Sequence, residues 1–486
     1  PEIYRGWLKR MLYEVDGRPG NANQFVFINA WNEWAEGASL EPSLDLGRSY
    51  LEATREAVHE NRRLASQLSA CPPSPVKIDA DLLAWRMNPK HTESRSPGCR
   101  PLLLVSHDAT RYGAQLVLLN IIKHLVESKD LELFLLLCGG GDVEREFTEL
   151  VHTISLERVT ATGIGRAAAI EQIVADFALR DPLLALCNTV VSGKVASVCQ
   201  RAGIPVLSLL HELPTTIHAV GTNYLFEAIA ASKRVLIVSQ FVKNALIRSY
   251  DLDPERLTVL HNSFFNWEPG PGWRKSARAK VLQELDLPDN TFLVLGCGSI
   301  HHRKGTDLFV QLAREVLDLG GSENIFFLWI GADQSPTFRK WCEHDIEASG
   351  LQERVRLAGP RKSTSDYFAA SDAFALTSRE DPFPMVNLEA MSRGVAVVAF
   401  ADAGGAPEVL NDGAGIVVPY LDVRAMAKAM ICLSEAPHYR EKISSKAAEK
   451  MQNGYRWERY MLDLLAIFEE DFGFRRQPTA APGTRN

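Results

Sequence analysis

Between residues 100 and 420 the chain repeats one pattern. Short apolar runs of strand length, PLLLVSHDA, LELFLLLCGGG, PLLALCNT, IPVLSLLHEL and RVLIVSQ, are separated by stretches of helical periodicity such as GAQLVLLNIIKHLVE. Apolar runs without polar alternation read as strands buried on both faces, and strands that alternate with helices form βαβ units around a parallel sheet. The series restarts near residue 267 with TFLVLGCGSI, NIFFLWIGA, VRLAG, DAFALTS, GVAVVAF and AGIVVP, and runs to about residue 455. Two such series predict two doubly wound α/β domains, each presenting the C-terminal ends of its strands to a shared cleft. GYRWERYMLDLLAIFEEDF then predicts one more amphipathic helix, and RRQPTAAPGTRN a disordered tail.

Upstream, residues 1–67 read as helix, strand (QFVFINAW) and helix (GRSYLEATREAVHENRRLASQL). One strand between two helices cannot bury both faces, so this piece is expected to belong to something larger. Residues 68–97, with CPPSPVK and NPKHTESRSPG, have the composition of a linker. The expected division is 1–67, a linker at 68–97, an α/β domain at 98–266, a second at 267–455, a return helix at 456–473 and a tail at 474–486. The chain opens at Pro1 inside a helix-like stretch, as a fragment with a start further upstream would.

A length of 486 residues is too great for one domain, in keeping with this division. Lys plus Arg number 53 against 60 Asp plus Glu, a net charge of -7, which argues against a dedicated nucleic-acid binder but leaves room for a local basic pocket. None of the eight cysteines forms a C-x-x-C pair, and several sit in apolar runs such as LLLC and LALC. They read as small buried hydrophobes of a reducing compartment. No apolar run is long enough to cross a bilayer and no signal peptide is visible, so a cytoplasmic location is expected.

Three loops of the second series carry candidate chemistry. LGCGSIHHRKGTDLF places Gly296, Gly298, Ser299, Arg303, Lys304 and Gly305 between a strand and a helix. Glycines permit close backbone approach, a helix start offers N–H groups, and Lys304 supplies a point charge for an anion; the competing reading is a solvated basic turn. His301 stands where a dinucleotide fingerprint requires its last glycine, so that motif is rejected. REDPFPMVNLEAM puts Asp381 on a turn stiffened by Pro382 and Pro384, and Glu389 on the helix behind it. Alone, these acids would read as a helix-dipole partner and an exposed glutamate. FADAGGAPEVL adds Gly404, Gly405 and Glu408 in the same strand, glycine loop, helix arrangement. Three such loops on one sheet edge are expected to form a phosphate- or sugar-binding site.

GSIHHRKG, VRLAG, TSREDPFPMVNLEAM, GGAPEVL and GAGIVVP, in this order, resemble the C-terminal domain of retaining family-4 glycosyltransferases of the GT-B fold. SHDATRYGAQ, NTVVSG, LLHELP, VSQFV and VLHNSF resemble the acceptor-side domain, and the likeness spans roughly residues 98–472. The resemblance implies a spaced pair of acids, here Asp381 and Glu389. Glu389 would hold the nucleotide ribose, Asp381 the donor-sugar hydroxyls, and Lys304 the diphosphate. Gly113 would let backbone amides approach the phosphates, and His211 would reach the transferred sugar, against the reading of a satisfied loop histidine. Catalytic weight is thus expected on Asp381, His211 and Lys304, with donor binding by Gly113, Ser299, Arg303, Lys304, Glu380, Asp381, Phe383, Val386, Glu389, Gly404 and Gly405. Ser239 and Asn262 are weaker candidates at strand ends facing the cleft.

Two positions depart from the family pattern. Ser299 stands where many relatives have arginine, leaving Arg303 as the candidate to supply the charge, and the first acid is Asp381, with Glu380 adjacent as a competitor. The resemblance implies a nucleotide-diphosphate sugar as donor, no cofactor and no metal, and same-face attack with a donor phosphate oxygen taking the acceptor proton. The acceptor would be a glycan or lipid-linked glycan of a surface polysaccharide such as O-antigen, with peripheral inner-membrane association part of the expectation. Two alternatives stand beside it: a GT-B nucleotide-sugar epimerase, and a binding module that has lost catalysis. Acceptor-dependent release of nucleotide diphosphate separates the first, donor binding without turnover the second. The D-x-D pairs Asp79 with Asp81 and Asp251 with Asp253 read as chance, one in the linker and one in a surface turn. FINAWNEWAEGASLEP, with Trp31, Glu33, Trp34 and Glu36 at a strand end, resembles the closing strand and helix of a glycoside-hydrolase family-99-like (β/α) barrel. Only the last sixty or so residues of such a barrel are present, and no activity is expected from Glu33 or Glu36.

Overall fold

A computed structural model describes residues 99–264, 272–361 and 363–475, together with a short antiparallel strand pair, Asn32–Glu33 with Ala38–Ser39. The expected barrel remnant, the linker with Asp79 and Asp81, and the tail beyond 475 otherwise lie outside the described residues. The chain divides into two compact units, Pro1–Asp79 and Ala80–Asn486, and the second holds both α/β lobes.

The first lobe is a sheet of seven parallel strands: β1 (Arg100–Ser106), β2 (Leu131–Leu137), β3 (His152–Ser155), β4 (Leu184–Asn188), β5 (Val206–Leu210), β6 (Arg234–Ile237) and β7 (Leu257–Val259). Their order is β3-β2-β1-β4-β5-β6-β7. The second lobe has six: β8 (Phe292–Cys297), β9 (Ile325–Ile330), β10 (Val355–Leu357), β11 (Ala373–Leu376), β12 (Ala396–Phe400) and β13 (Ile416–Val418), in the order β10-β9-β8-β11-β12-β13. Both orders reverse direction once, between β1 and β4 and between β8 and β11. At such a switch point the flanking connections leave on opposite faces, opening a crevice at the strand C-termini.

The apolar runs become strands because helices cover both sheet faces: Leu102 to Val105 and Leu293 to Leu295 are fully buried. β3 and β7 were not anticipated. HTIS and LTV are too short and too mixed in polarity to stand out, and they exist because a neighbouring strand supplies their hydrogen bonds.

The helix Trp457–Phe472 follows the second lobe in sequence but packs on the first. Trp457, Tyr460, Leu464 and Phe468 join a core that runs through both lobes and contains Leu207 and Val235 of the first and Leu293 and Val397 of the second. Arg234 anchors its end, with Nη2 donating to Asp471 Oδ1 at 3.0 Å. The chain's two crossings between lobes lie side by side: the Phe264 N–H donates to the Tyr455 carbonyl at 3.2 Å, and Phe264 bridges Arg456. Among the described residues no helix is long and apolar enough to cross a membrane.

Candidate functional site

The second lobe's site grows from its switch point. After β8 the chain turns through Gly298 into a short 3-10 turn, His302–Lys304, before the helix Thr306–Asp318. Lys304 thus precedes the helix rather than opening it. Gly305 adopts a left-handed conformation against the β11 loop, where Thr377 Oγ1 donates to its carbonyl at 2.8 Å. This contact locks the two switch-point loops together. Arg379 reinforces it, donating bidentately to Asp307 at 2.8 and 2.7 Å.

Asp381 sits on the β11 loop, buried, with Lys304 Nζ 2.5 Å from its Oδ2. It therefore pairs with a lysine and does not cap the following helix. Its backbone is fixed by Gly404: the two residues bridge, and a Cβ on Gly404, at φ 144°, would lie 1.7 Å from the Asp381 carbonyl oxygen. Only glycine allows that approach. The helix Met385–Ser392 follows, with Val386 in its first turn and Glu389 on its inner side, where Thr364 Oγ1 donates to Glu389 Oε1 at 2.7 Å. Burial pushes the Glu389 carboxyl above its ordinary value, opposed by the Thr364 hydrogen bond and by Arg393. The Cys297 thiol, at the end of β8, lies in the field of both Lys304 and Glu389. Burial and then the Glu389 charge raise that thiol, while Lys304 works against them. Lys304 and Asp381 are therefore in direct contact, with Glu389 on the helix that follows the Asp381 loop.

Others are placed differently. Phe383 does not face the cleft: its ring is buried 5.3 Å from His261 and 6.2 Å from Tyr455, supporting the Asp381 loop from behind. Gly405 stands against Pro382, Phe383 and Ser239, packing loops rather than opening a pocket. Arg303 Nη1 donates to the Glu380 carbonyl at 2.8 Å, which leaves its charge unpaired by that contact, and Ser299 is partly exposed in the loop after β8. The Glu380 carboxylate accepts from the Thr215 hydroxyl of the other lobe. Glu408 is not a sugar ligand. Its carboxylate accepts the N–H groups of Gln240 (3.0 Å) and Phe241 (2.7 Å) at the start of the helix Gln240–Tyr250 and lies 2.7 Å from His261 Nε2. Burial would raise it, but these hydrogen bonds hold it below its ordinary value. Ser239, at the same helix start, accepts from Val242 N at 3.2 Å and donates to the Pro382 carbonyl at 2.8 Å. It is a joint between lobes, and Asn262 is buried. Asp253 caps its own turn through Glu255 N at 3.0 Å, and Asp251 ends a helix in the left-handed conformation, so that acidic pair serves local structure.

In the first lobe, Gly113 opens the helix Gly113–Leu125, and a Cβ there would meet nothing within 4 Å. His211 follows β5 with Nε2 2.8 Å from Asn188 Oδ1 at the end of β4. Burial, and then His107, lower the imidazole to about 3, so it is neutral. Sequence reasoning missed its surroundings: His107, Asp108, Asn188, Thr189 and Glu212 sit at the ends of β1, β4 and β5. Their signal was the position of SHDATRYGAQ, NTVVSG and LLHELP directly after apolar runs. The lobes meet through Thr215 with Glu380, Ser239 with Pro382, and Tyr112 with Gln334. Each contact joins loops beyond strand C-termini, so the two sheet edges face each other across the cleft.

Residues 277–450 match the family model for Glycosyl transferases group 1, and residues 112–264 match Glycosyltransferase Family 4. The two lobes are glycosyltransferase domains. Residues 1–54 match Glycosyltransferase WbsX, in the stretch that resembles the family-99-like barrel. The chain is 26% identical over 249 residues to a D-inositol 3-phosphate glycosyltransferase of Thermobifida fusca, covering 50% of this chain and 56% of that protein. Over 88 residues, 18% of this chain and 12% of the relative, the chain is 42% identical to WxcX of Xanthomonas campestris. Among solved structures, Anabaena Alr3699/HepE in complex with UDP and glucose superposes with a TM-score of 0.65 at 21% identity, covering 76% of this chain and 100% of that one. WaaG, a glycosyltransferase involved in lipopolysaccharide biosynthesis, gives 0.57 at 17% identity, covering 77% and 100%. The glycosyltransferase lobes therefore have the GT-B fold.

Proposed function

We propose that the chain transfers a sugar from a nucleotide-diphosphate sugar, with retention, to a glycan or lipid-linked acceptor in the assembly of a surface polysaccharide such as O-antigen. One observation carries this reading: Lys304 pairs with Asp381 where the loops after β8 and β11 meet at the switch point, with Glu389 on the helix that follows. Support comes from the HepE structure of the same fold, which holds UDP and glucose. In this reading Glu389, oriented by Thr364, takes the ribose hydroxyls. Lys304 moves from Asp381 to the diphosphate, freeing Asp381 for the sugar hydroxyls. The open N-terminus at Gly113 and the amides opening the helix Met385–Ser392 complete the phosphate cradle, without a metal. With Arg303 oriented by the Glu380 carbonyl, Lys304 is the principal counter-charge for the leaving group. The reaction is placed in the cytoplasm, at the inner face of the membrane where the acceptor is lipid-linked. The match of residues 1–54 to a further glycosyltransferase family supports a chain that joins two glycan-handling segments.

The test is a thermal-shift screen against UDP, GDP, ADP and their sugars. One base is expected to stabilise the protein, by about 2.7 kcal/mol at a hundred times its dissociation constant. A flat response to every nucleotide would remove the donor-site reading.

A further inference from the structure

At the end of β4, Thr189 has φ 72° and ψ 159° and is almost wholly buried. Among the described residues it is the only β-branched one at positive φ. That corner of backbone space belongs to glycine, and another residue stays there only when its surroundings force it. Here two contacts supply that force. The Thr189 N–H donates to the Leu209 carbonyl at 2.8 Å, and Oγ1 lies 2.8 Å from His107 Nδ1. His107 Nε2 is in turn 3.3 Å from Asp108 Oδ2 and 3.3 Å from the Gln115 amide nitrogen; with the ring proton directed at the carboxylate, Nδ1 accepts the threonine hydroxyl. Asp108 is ready for that role. Burial would raise it, but its hydrogen bonds to His107 and Thr110 hold it down at about 2.

The residues on either side of Thr189 both hold His211. Asn188 Nδ2 donates to the Ala114 carbonyl at 3.1 Å, which fixes the amide so that Oδ1 meets His211. His211 must therefore carry its proton on Nε2 and keep a lone pair on Nδ1. Glu212 Oε2 accepts the N–H groups of Val190 at 3.1 Å and of His211 at 2.9 Å, tying the two strand ends together. The strained residue lies between the two that fix the imidazole.

We propose that Thr189 and His107 are positioning residues for His211: their hydrogen bond holds the strained turn that locks His211 in the Nε2–H tautomer, with Nδ1 aimed at a substrate hydroxyl. The charged and titratable groups around it are His107 and Asp108 beyond β1, Glu212 beyond β5, and Glu380, which reaches Thr215 from the other lobe. The tie to catalysis rests on the glycosyl-transfer reading, whereas the tautomer does not.

The experiment uses the full chain labelled with 15N-histidine, with the His211 signals assigned by His211→Gln. Long-range 1H–15N spectra between pH 5 and 8 are expected to show a neutral Nε2–H ring throughout. Thr189→Gly, which relieves the strain but lacks the hydroxyl, is expected to fold with an unchanged or higher Tm yet give a tautomer mixture. With the nucleotide sugar found in the thermal-shift screen, its kcat falls about 10-fold or more while the donor KM stays within about two-fold. Thr189→Ser, which keeps the hydroxyl, restores both the tautomer and most of kcat, and His107→Gln behaves like Thr189→Gly. A wild-type ring that titrates near its ordinary value, or Thr189→Gly with the native tautomer and turnover, overturns the proposal. If no nucleotide sugar is turned over, the functional reading fails while the spectra still decide the positioning.

Discussion

At the scale of single residues, the two cations beside the β8 loop have different fates. Lys304 is held by one carboxylate that a diphosphate can replace, whereas Arg303 is oriented by a backbone carbonyl on the Asp381 loop. Lys304→Ala is therefore expected to lower sugar transfer by about 10²–10³-fold, the usual loss for one electrostatic stabiliser of a developing charge, while Arg303→Ala costs far less. Steady-state rates of nucleotide-diphosphate release check the pair, and equal losses would contradict the division of labour. Gly113 gives a second test. A methyl group there meets nothing in the folded chain, so Gly113→Ala should leave Tm unchanged or slightly raised. Donor affinity should fall, because the methyl occupies the space a phosphate needs; calorimetric titration with the matching nucleotide reads this. Both residues were visible in the sequence through their motifs. The partners of Lys304 were not, because a loop lysine's choice between solvent, phosphate and carboxylate depends on what another loop brings beside it.

At the scale of elements, the glycine loop after β12 holds up the Asp381 loop. Gly404 lets the two backbones bridge, and Glu408 beyond it seats the start of the Gln240–Tyr250 helix. Gly404→Ala is expected to destabilise the chain by roughly 3 kcal/mol or more through strain and backbone collision, seen as a depressed Tm. A normal Tm would mean that the two loops separate easily. In the sequence FADAGGAPEVL looked like a third ligand loop, because glycines that serve a ligand and glycines that serve a close backbone approach leave the same letters. The acids there were equally ambiguous. Glu408 meets a helix N-terminus of the other lobe, a partner 167 residues away in the chain and therefore absent from any local pattern.

At the scale of the whole molecule, one feature binds the lobes into one unit and another sets the response to pH. The first is the return helix, whose eight buried side chains each contribute about 1.5–3 kcal/mol of burial, together comparable with the ~5–15 kcal/mol by which domains are stable. A chain ending at Gly454 is expected to be insoluble or unfolded, and a native circular-dichroism melt from such a chain would disprove this. The second is the buried polar cluster around His211. Its imidazole is lowered from 6.5 to about 3, so between those values the unfolded chain binds a proton that the folded chain refuses. Stability is full above pH 6.5 and lost as pH falls through that window, by at most about 1.4 kcal/mol per pH unit. Glu212 and Glu389, both raised by burial, take up protons earlier in the folded state and offset part of the loss. His211→Gln should therefore flatten the decline in urea stability between pH 7 and 5; parallel curves would show that the ring titrates normally. What the sequence alone determined was the pair of parallel α/β lobes and the loops that follow their strands, because buried-strand runs and glycine turns are local patterns of a few residues. The tertiary structure decided which loop residues share a point in space. Hydrogen-bond and ion-pair partners such as Lys304 with Asp381, or His211 with Asn188, come from strands adjacent in the sheet but far apart in the chain.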